Sequence, residues 1–393
     1  MPIVAGVDSS TQSVKVVLRD ADSGELVAST SRPHPDGSEV NPQHWWKALS
    51  EALDELSSHK ISAISIAGQQ HGMIALDKDG AVIRDALLWN DTRSDKAAED
   101  LNREIPDIAL RTGSQLVASF TASKVRWLVD SEKANANRVA AIALPHDWLS
   151  WKLSGAKSIE TLFTDRSDAS GTGYFDSRKN EYCLDILATA IRTNQEIILP
   201  KIIAPNQFGA TSTNSIPIAA GAGDNAGAAL GLGASLGDLV ISLGTSGTAF
   251  AISKSSTHDS SGEVAGFADA TGNFLPLACT LNAAKIFNTV AKSLSLSFEE
   301  FSSLALSAKV GAEGLRIIPH FDGERTPNKP SAKGSFHGIT HSNFTKENIA
   351  RASIEGVIAG MIYAAKAVER QGVSYSRILL IGGAAKNSAV QQI

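Results

Sequence analysis

Ile3-Val-Ala-Gly-Val-Asp8-Ser-Ser-Thr-Gln-Ser13-Val-Lys-Val-Val-Leu-Arg19 holds two apolar, largely β-branched runs on either side of a short hydroxyl-rich segment. Such runs, parted by Ser and Thr, read as strands joined by a turn, here Ile3–Val7 and Val14–Arg19. Asp22-Ser-Gly24 turns the chain again into a third run, Leu26–Ser31. Asn41 then stands as an N-cap with Pro42 at the first helical position. Trp45, Leu49, Ala52, Leu53 and Leu56 follow at i, i+4, i+7, i+8 and i+11, one apolar helical face. Ile61–Ala67 resumes a buried strand, and Met73–Leu76 and Ala81–Ile83 flank a Lys78-Asp-Gly80 turn.

Three strands, a helix and another strand open a ribonuclease-H-like α/β domain. The pattern returns further along: Leu239–Leu243 and Thr248–Ile252 enclose Gly244-Thr-Ser-Gly247. Both halves thus carry a small hydroxyl-rich turn between apolar strands, and duplication of one unit is the simplest source. Between them, about 94 to 200, helical patterns stand at Ser123–Ser131 and Leu144–Leu149. At roughly 150 residues per domain, 393 residues predict two or three domains, and 43% apolar composition fills their cores.

The balance of 36 basic and 41 acidic residues gives a net charge of −5 without a block of like charges. Nothing in it suggests a nucleic-acid footprint or a membrane anchor. Cys183 and Cys279 lack metal-site spacing and read as buried small hydrophobes in a reducing, cytoplasmic setting. The segment Met1 to Asp8 reads as a strand, not a signal peptide. The tract from Ile216 to Ile252 is interrupted by Asp224, Asp238 and many glycines, so it does not read as a membrane span.

Turns rich in Gly, Ser and Thr present N–H groups and hydroxyls to a polyphosphate, or are simply turns. Asp8 adds a carboxylate where Mg2+ or its water shell would sit. No GxxxxGK[ST] sequence is present, which excludes a P-loop, and Gly221-Ala-Gly-Asp-Asn-Ala-Gly227 has the wrong spacing for a dinucleotide fingerprint. Asp224 ends a strand and starts a helix through Asn225–Leu232, where it is either an N-cap or a proton acceptor for a substrate hydroxyl. Gly68-Gln-Gln-His-Gly72 and Leu88-Trp-Asn-Asp-Thr-Arg93 gather polar and aromatic groups at strand ends, which suits a polyhydroxylated ligand. Trp45, Trp46, Trp127 and Trp148 read as structural. His337 and His341 do not read as a metal site, Asp165, Asp168 and Gly171 read as a solvated or ligand-lining loop, and Glu324 with Arg325 reads as a simple pair. The last strand, Arg377–Ile381, runs into Gly382-Gly-Ala-Ala385, where missing side chains let a flat ring approach.

Taken together, Asp8–Lys15, Gly68-Gln-Gln-His-Gly72, Trp89-Asn-Asp-Thr-Arg93, Gly221-Ala-Gly-Asp-Asn225, Ser242-Leu-Gly-Thr-Ser-Gly247, Gly323-Glu-Arg-Thr-Pro327 and Gly382-Gly-Ala-Ala-Lys386 resemble the FGGY family of carbohydrate kinases, most closely members acting on D-xylulose. The resemblance spans nearly the whole chain. It implies two actin-like domains around a central cleft, 1–234 with the sugar and the catalytic Asp and 235–393 with the nucleotide, the second ending short of the family's length. It implies ATP with Mg2+ and transfer of the γ-phosphoryl to the terminal hydroxyl of D-xylulose, and it allows a homodimer. Asp224 matches the proton acceptor and Asp8 the acidic residue on the Mg-phosphate side. Gln70, His71, Trp89, Asn90, Asp91 and Arg93 match sugar contacts; Ser10, Thr11, Gly244, Thr245, Ser246, Gly382, Gly383 and Ala384 match nucleotide contacts. Gln70 stands where Met is usual, Ser9 and Ser10 where Leu or Gly types are usual, and Ala384 where a third Gly is usual. At an ordinary carboxylate pKa of about 3.9, Asp224 is expected to work by positioning rather than basicity. Other readings are a kinase for another ketose or polyol, an actin-like ATP-binding module without sugar chemistry, and an inactive truncated fragment.

Overall fold

The computed structural model describes residues 2–193 and 195–393; Met1, at the head of the segment read as a strand, and Asn194 lie outside the described residues. The chain forms two compact units, one from residues 1–233 with 267–274 and one from 234–266 with 275–393.

In the first unit the expected strands are each a little longer than read: β1 (Ile3–Ser9), β2 (Ser13–Asp20) and β3 (Leu26–Pro33). Alternation decides their faces: Ala5, Val7, Val14, Val16 and Leu18 turn inward. Helix α1 (Pro42–Glu55) begins with the Asn41 side chain accepting the Gln43 N–H at 3.0 Å. Its Trp45, Leu49 and Ala52 join the same core as Val14, Val16 and Leu18, each large side chain contributing about 1.5–3 kcal/mol by burial. Strand β4 (Ile61–Gly68) returns parallel to β1, a geometry that needs a crossover such as α1. After α2 (Thr121–Ser131), α3 (Pro145–Leu153) and α4 (Arg166–Ala169) come β5 (Phe208–Thr211), β6 (Pro217–Ala219) and β7 (Ala222–Gly223). The sheet runs β5-β6-β4-β1-β2-β3, with β7 also paired to β4. Helix α5 (Asp224–Gly231) follows directly.

A second sheet repeats the plan with β8 (Asp238–Leu243), β9 (Gly247–Ala251), β10 (Ala265–Ala268), β11 (Phe274–Thr280) and β12 (Arg377–Ile381) in the order β10-β11-β9-β8-β12. Helices α6 (Ala284–Ser293) and α7 (Lys346–Arg370) belong to the second unit. In each unit a hairpin with a three-residue turn, 10–12 or 244–246, has an antiparallel strand beside its second strand. A parallel strand, entered from a helix, lies beside its first. The internal repeat read from the two turns is thus a repeat of topology. Arg377 grips both carboxylate oxygens of Asp238 at 2.6 and 2.7 Å where β8 and β12 begin side by side. Those bonds hold Asp238 well below the usual carboxylate range.

One reading needs correcting. Cys279 is buried, but Cys183 is only half-buried, and the two are not joined to one another. Trp45 and Trp148 are core residues, whereas Trp46 and Trp127 are partly exposed. His337 and His341 are exposed on the surface. Among the described residues no helix is long and apolar enough to cross a membrane.

Candidate active site

Three parallel strand ends meet in the first unit. Asp8 is level with Ala67 and Ser9 with Gly68 across β1 and β4, while Ala222 and Gly223 are level with the same pair across β4 and β7. Asp8, Gln69, Gln70 and Asp224 therefore leave one edge of the sheet together, where open α/β sheets gather ligands.

Asp224 is not the N-cap of α5; Gly223 holds that place and Asp224 is the first helical residue. Its Oδ1 accepts the N–H and the Nδ2 of Asn225 at 2.7 and 2.8 Å. Burial, with the charge of Asp8 adding to it, pushes Asp224 up to about 7. Asp224 is thus raised above the ordinary carboxylate value expected for it. Asp8 is exposed by surface area, yet the protein massed around its carboxyl raises its pKa as well, against the pull of Lys15 opposite it on β2. Among the described residues the Asp8 carboxylate takes no hydrogen bond from the protein.

Gln70 is buried beside Asp224. Its Nε2 donates to the Ser167 carbonyl at 3.4 Å, its Oε1 faces Asn225 Nδ2 at 3.5 Å, and Ser167 Oγ accepts the Gly223 N–H at 3.0 Å. A Cβ on Gly223 would stand 2.8–2.9 Å from the Gln70 side chain, so glycine is what lets Gln70 lie there. His71 has φ +67°, an uncommon left-handed backbone for a side chain of this size. Its Nδ1 lies 2.6 Å from the Gly171 carbonyl, which can only accept, so Nδ1 carries the hydrogen. The ring packs against Phe120 and Phe267 at centroid distances of 4.8 and 5.5 Å. The His71 carbonyl accepts from Lys124 Nζ at 2.7 Å and Thr121 Oγ1 at 3.3 Å. Lys124 is wholly buried, and burial drives its pKa well below the usual lysine value.

The first turn is already engaged by its own neighbours. Thr11 Oγ1 accepts from Trp89 Nε1 at 2.8 Å and donates to Gln69 Oε1 at 3.3 Å; Ser10 Oγ donates to the Ser13 carbonyl at 3.1 Å. Asp91 is buried, where desolvation works against its charge, but donors from Arg93 at 2.8 and 3.1 Å and from Ser38 at 2.9 Å hold its pKa below the usual range. Arg93 also reaches Glu39 at 2.7 Å and lies over the Trp127 ring at 5.1 Å. Trp127, read as structural, thus supports a residue of the sugar set. Asn90 is exposed and bonds the Gly37 carbonyl at 3.4 Å.

Asp165 and Asp168 are not solvated. Both are buried, Asp165 capping α4 by accepting the N–H groups of Ser167 and Asp168 at 2.7 and 3.0 Å. Asp168 Oδ2 lies 2.6 Å from Nδ1 of the fully buried His146, whose Nε2 faces the Ala220 carbonyl at 3.2 Å. Burial alone would keep this ring neutral, but the charges of Asp147, Asp168 and Asp165 hold its pKa well above the ordinary histidine value. The pattern offered no sign of this, because a hydrophilic run such as Thr164–Ser170 looks the same whether wet or enclosed.

In the second unit the turn at 244–246 and the segment from 382 stand at neighbouring strand ends, Ser242 being level with Ile381 across β8 and β12. A Cβ on Gly382, at φ +96°, would meet the Leu243 backbone at 2.5–2.8 Å. Its glycine is demanded by the neighbouring strand; Gly383 alone faces open space, and Ala384 is buried in the core. The Gly244 and Thr245 carbonyls accept the N–H groups of Ala284 and Lys285 at 3.0 and 3.5 Å, tying the turn to the start of α6. Glu324 does not simply pair with the Arg325 side chain. Its carboxylate accepts the N–H groups of Leu281 and Arg325 at 2.5 and 2.8 Å and the Asn282 amide at 3.0 Å.

A recess of about 720 Å3 lined by Glu160, Phe163, Lys201 and Phe208 includes none of these residues. Residues 3–231 match the N-terminal domain, and residues 239–393 the C-terminal domain, of the FGGY family of carbohydrate kinases. A xylulose kinase of Streptomyces coelicolor is 41% identical over 409 residues, covering 100% of this chain and 82% of the relative. One of Escherichia coli is 32% identical, covering 99% and 83%. The crystal structure of xylulose kinase from Bifidobacterium adolescentis superposes with a TM-score of 0.90 at 42% identity, over 99% of this chain and 86% of that one. Glycerol kinase from Plasmodium falciparum, with a TM-score of 0.85 at 20% identity, shares the fold. Matched in both halves and along its whole length, the chain belongs to the FGGY family of carbohydrate kinases and is an ATP-dependent sugar kinase.

Proposed function

We propose that this kinase phosphorylates D-xylulose at its terminal hydroxyl, with Asp224 as proton acceptor. The observation that carries the assignment of Asp224 is its place at the shared edge of three parallel strands, half-buried, with a pKa pushed to about 7. A base poised near neutrality is suited to a late proton transfer. The hydroxyl oxygen attacks the γ-phosphorus, the bond to the bridging oxygen of ADP breaks, and the hydroxyl proton passes to Asp224. Gln70, His71, Trp89, Asn90 and Arg93 orient the sugar in this reading, and Asp91 fixes Arg93. The xylulose kinases that match over nearly the whole chain support the choice of sugar.

The nucleotide is assigned to the second unit, with Gly244, Thr245, Ser246 and Gly383 at the paired strand ends. Division near residue 234 is part of the same proposal. Asp8, a hard oxygen donor whose carboxylate takes no hydrogen bond among the described residues, fits a Mg2+ ion held directly or through water. When bound, the ion would neutralise phosphoryl charge. Replacing Asp224 by Ala should lower turnover by about 10²–10⁴-fold without loss of cooperative unfolding. Near-normal turnover in a coupled ADP-release assay with D-xylulose would overturn the assignment.

A further inference from the structure

His146 has no part in the scheme above, yet it joins the strand ends that carry the site. Its Nδ1 is 2.6 Å from Asp168 Oδ2 and its Nε2 is 3.2 Å from the Ala220 carbonyl, just before β7. With Asp168 ionised, both neighbours are acceptors, so both ring nitrogens donate and the ring is an imidazolium. A neutral ring would turn a lone pair on one of them. The imidazolium also fills the space that two glycines vacate. A Cβ on Gly68, the last residue of β4, would lie 2.9 Å from the His146 Cβ, and one on Gly221 would overlap the ring itself. Beyond His146, Asp168 lies in α4, whose Ser167 accepts the Gly223 N–H and the Gln70 amide.

We infer that His146 is a positioning residue: as a buried cation it locks the ends of β4 and β7 and the α4 turn into the one arrangement that sets Gln70 beside Asp224. It touches neither sugar nor phosphate and acts through Asp168, Ala220 and the two glycines. The charged or titratable groups around it are Asp147, Asp165 and Asp168, with Tyr174 and Tyr182 close behind. A metal ion does not suit the same cluster, because 2.6 Å between Nδ1 and the carboxylate is a hydrogen-bond length with no room for an ion between them. The inference rests on the reading of Asp224 and Gln70 given under the proposed function.

The test compares H146Q, which keeps a donor and loses the charge, with H146K, which restores a cation. H146Q should unfold cooperatively yet lose about 10- to 100-fold in kcat, as misplacement of reacting groups does, with the KM for ATP unchanged. H146K should recover most of that loss. Should H146Q fail to fold, S167A removes the acceptor of the Gly223 N–H by a smaller change, and should lower kcat severalfold and shrink the thermal shift produced by D-xylulose. Folded H146Q with wild-type kcat, H146K no better than H146Q, or S167A with wild-type kcat and sugar response would each overturn the inference. Near-normal turnover in D224N would instead remove the underlying reading of Asp224, whatever the His146 variants do.

Discussion

Replacing Asp8 by Asn should lower the pKa of Asp224. Asp8 and Ala222 stand level on β1 and β7 with only β4 between them. With strands about 4.8 Å apart the Asp8 and Ala222 backbones are roughly 10 Å from one another, and the Asp224 carboxyl, two residues past Ala222, is close enough for the Asp8 charge to raise its pKa. At roughly 10 Å a unit charge is worth about 1.7 kcal/mol at an effective dielectric constant near 20, and about 0.4 kcal/mol in water-like surroundings. This corresponds to about 0.3–1.2 pKa units. An anion nearby disfavours ionisation of Asp224, so its removal moves the titration down from about 7. The dependence of kcat/KM for the sugar on pH reports groups of the free enzyme. Normalised to its own plateau, the acid limb of D8N should lie about 0.3–1.2 pH units below that of the wild type, whatever the loss in absolute rate. An unshifted or upward-shifted limb would refute the coupling. A wild-type profile flat through neutrality would refute Asp224 as the titrating base.

Gly223→Ala is tolerated by the backbone, at φ −64°, but puts a methyl 2.8–2.9 Å from the Gln70 side chain. The KM for sugar should rise roughly tenfold, or about 1.4 kcal/mol, with that for ATP unchanged; an unaltered sugar KM would count against Gln70 as a contact. Glu324→Ala leaves the Leu281 and Arg325 N–H groups without this acceptor and the Asn282 amide with only the Gly323 carbonyl. It should destabilise the protein by about 2–4 kcal/mol, read from denaturant unfolding, and a loss below about 1 kcal/mol would contradict the buried geometry.

Features encoded within a few residues were legible in advance. The inward faces of β1 and β2 follow from strict alternation, and α1 begins where Asn41 and Pro42 say it should. The topological repeat shows in two hydroxyl-rich turns because a three-residue turn between apolar strands is a local signal. Other features were hidden because their causes are distant in sequence. Asp165 and Asp168 lie in a segment whose polarity suggests solvent, but His146 and Ala220, 22 and 74 positions from the residues they bond, enclose it. The glycine at 382 seemed to make room for a ligand until the Leu243 backbone took that place.

By itself the sequence determined the inventory: an α/β chain with a repeated hairpin, carboxylates at strand ends, and the amide, imidazole and guanidinium groups suited to a sugar. Tertiary structure alone decided their states. It sets Asp224 near neutrality, occupies the Thr11 hydroxyl with Trp89 and Gln69, commits Asp91 to Arg93, and encloses a charged His146 among three carboxylates. The reason is physical. Backbone propensity acts over a few residues, whereas desolvation and Coulomb forces act through space, between groups that only the folded chain brings together.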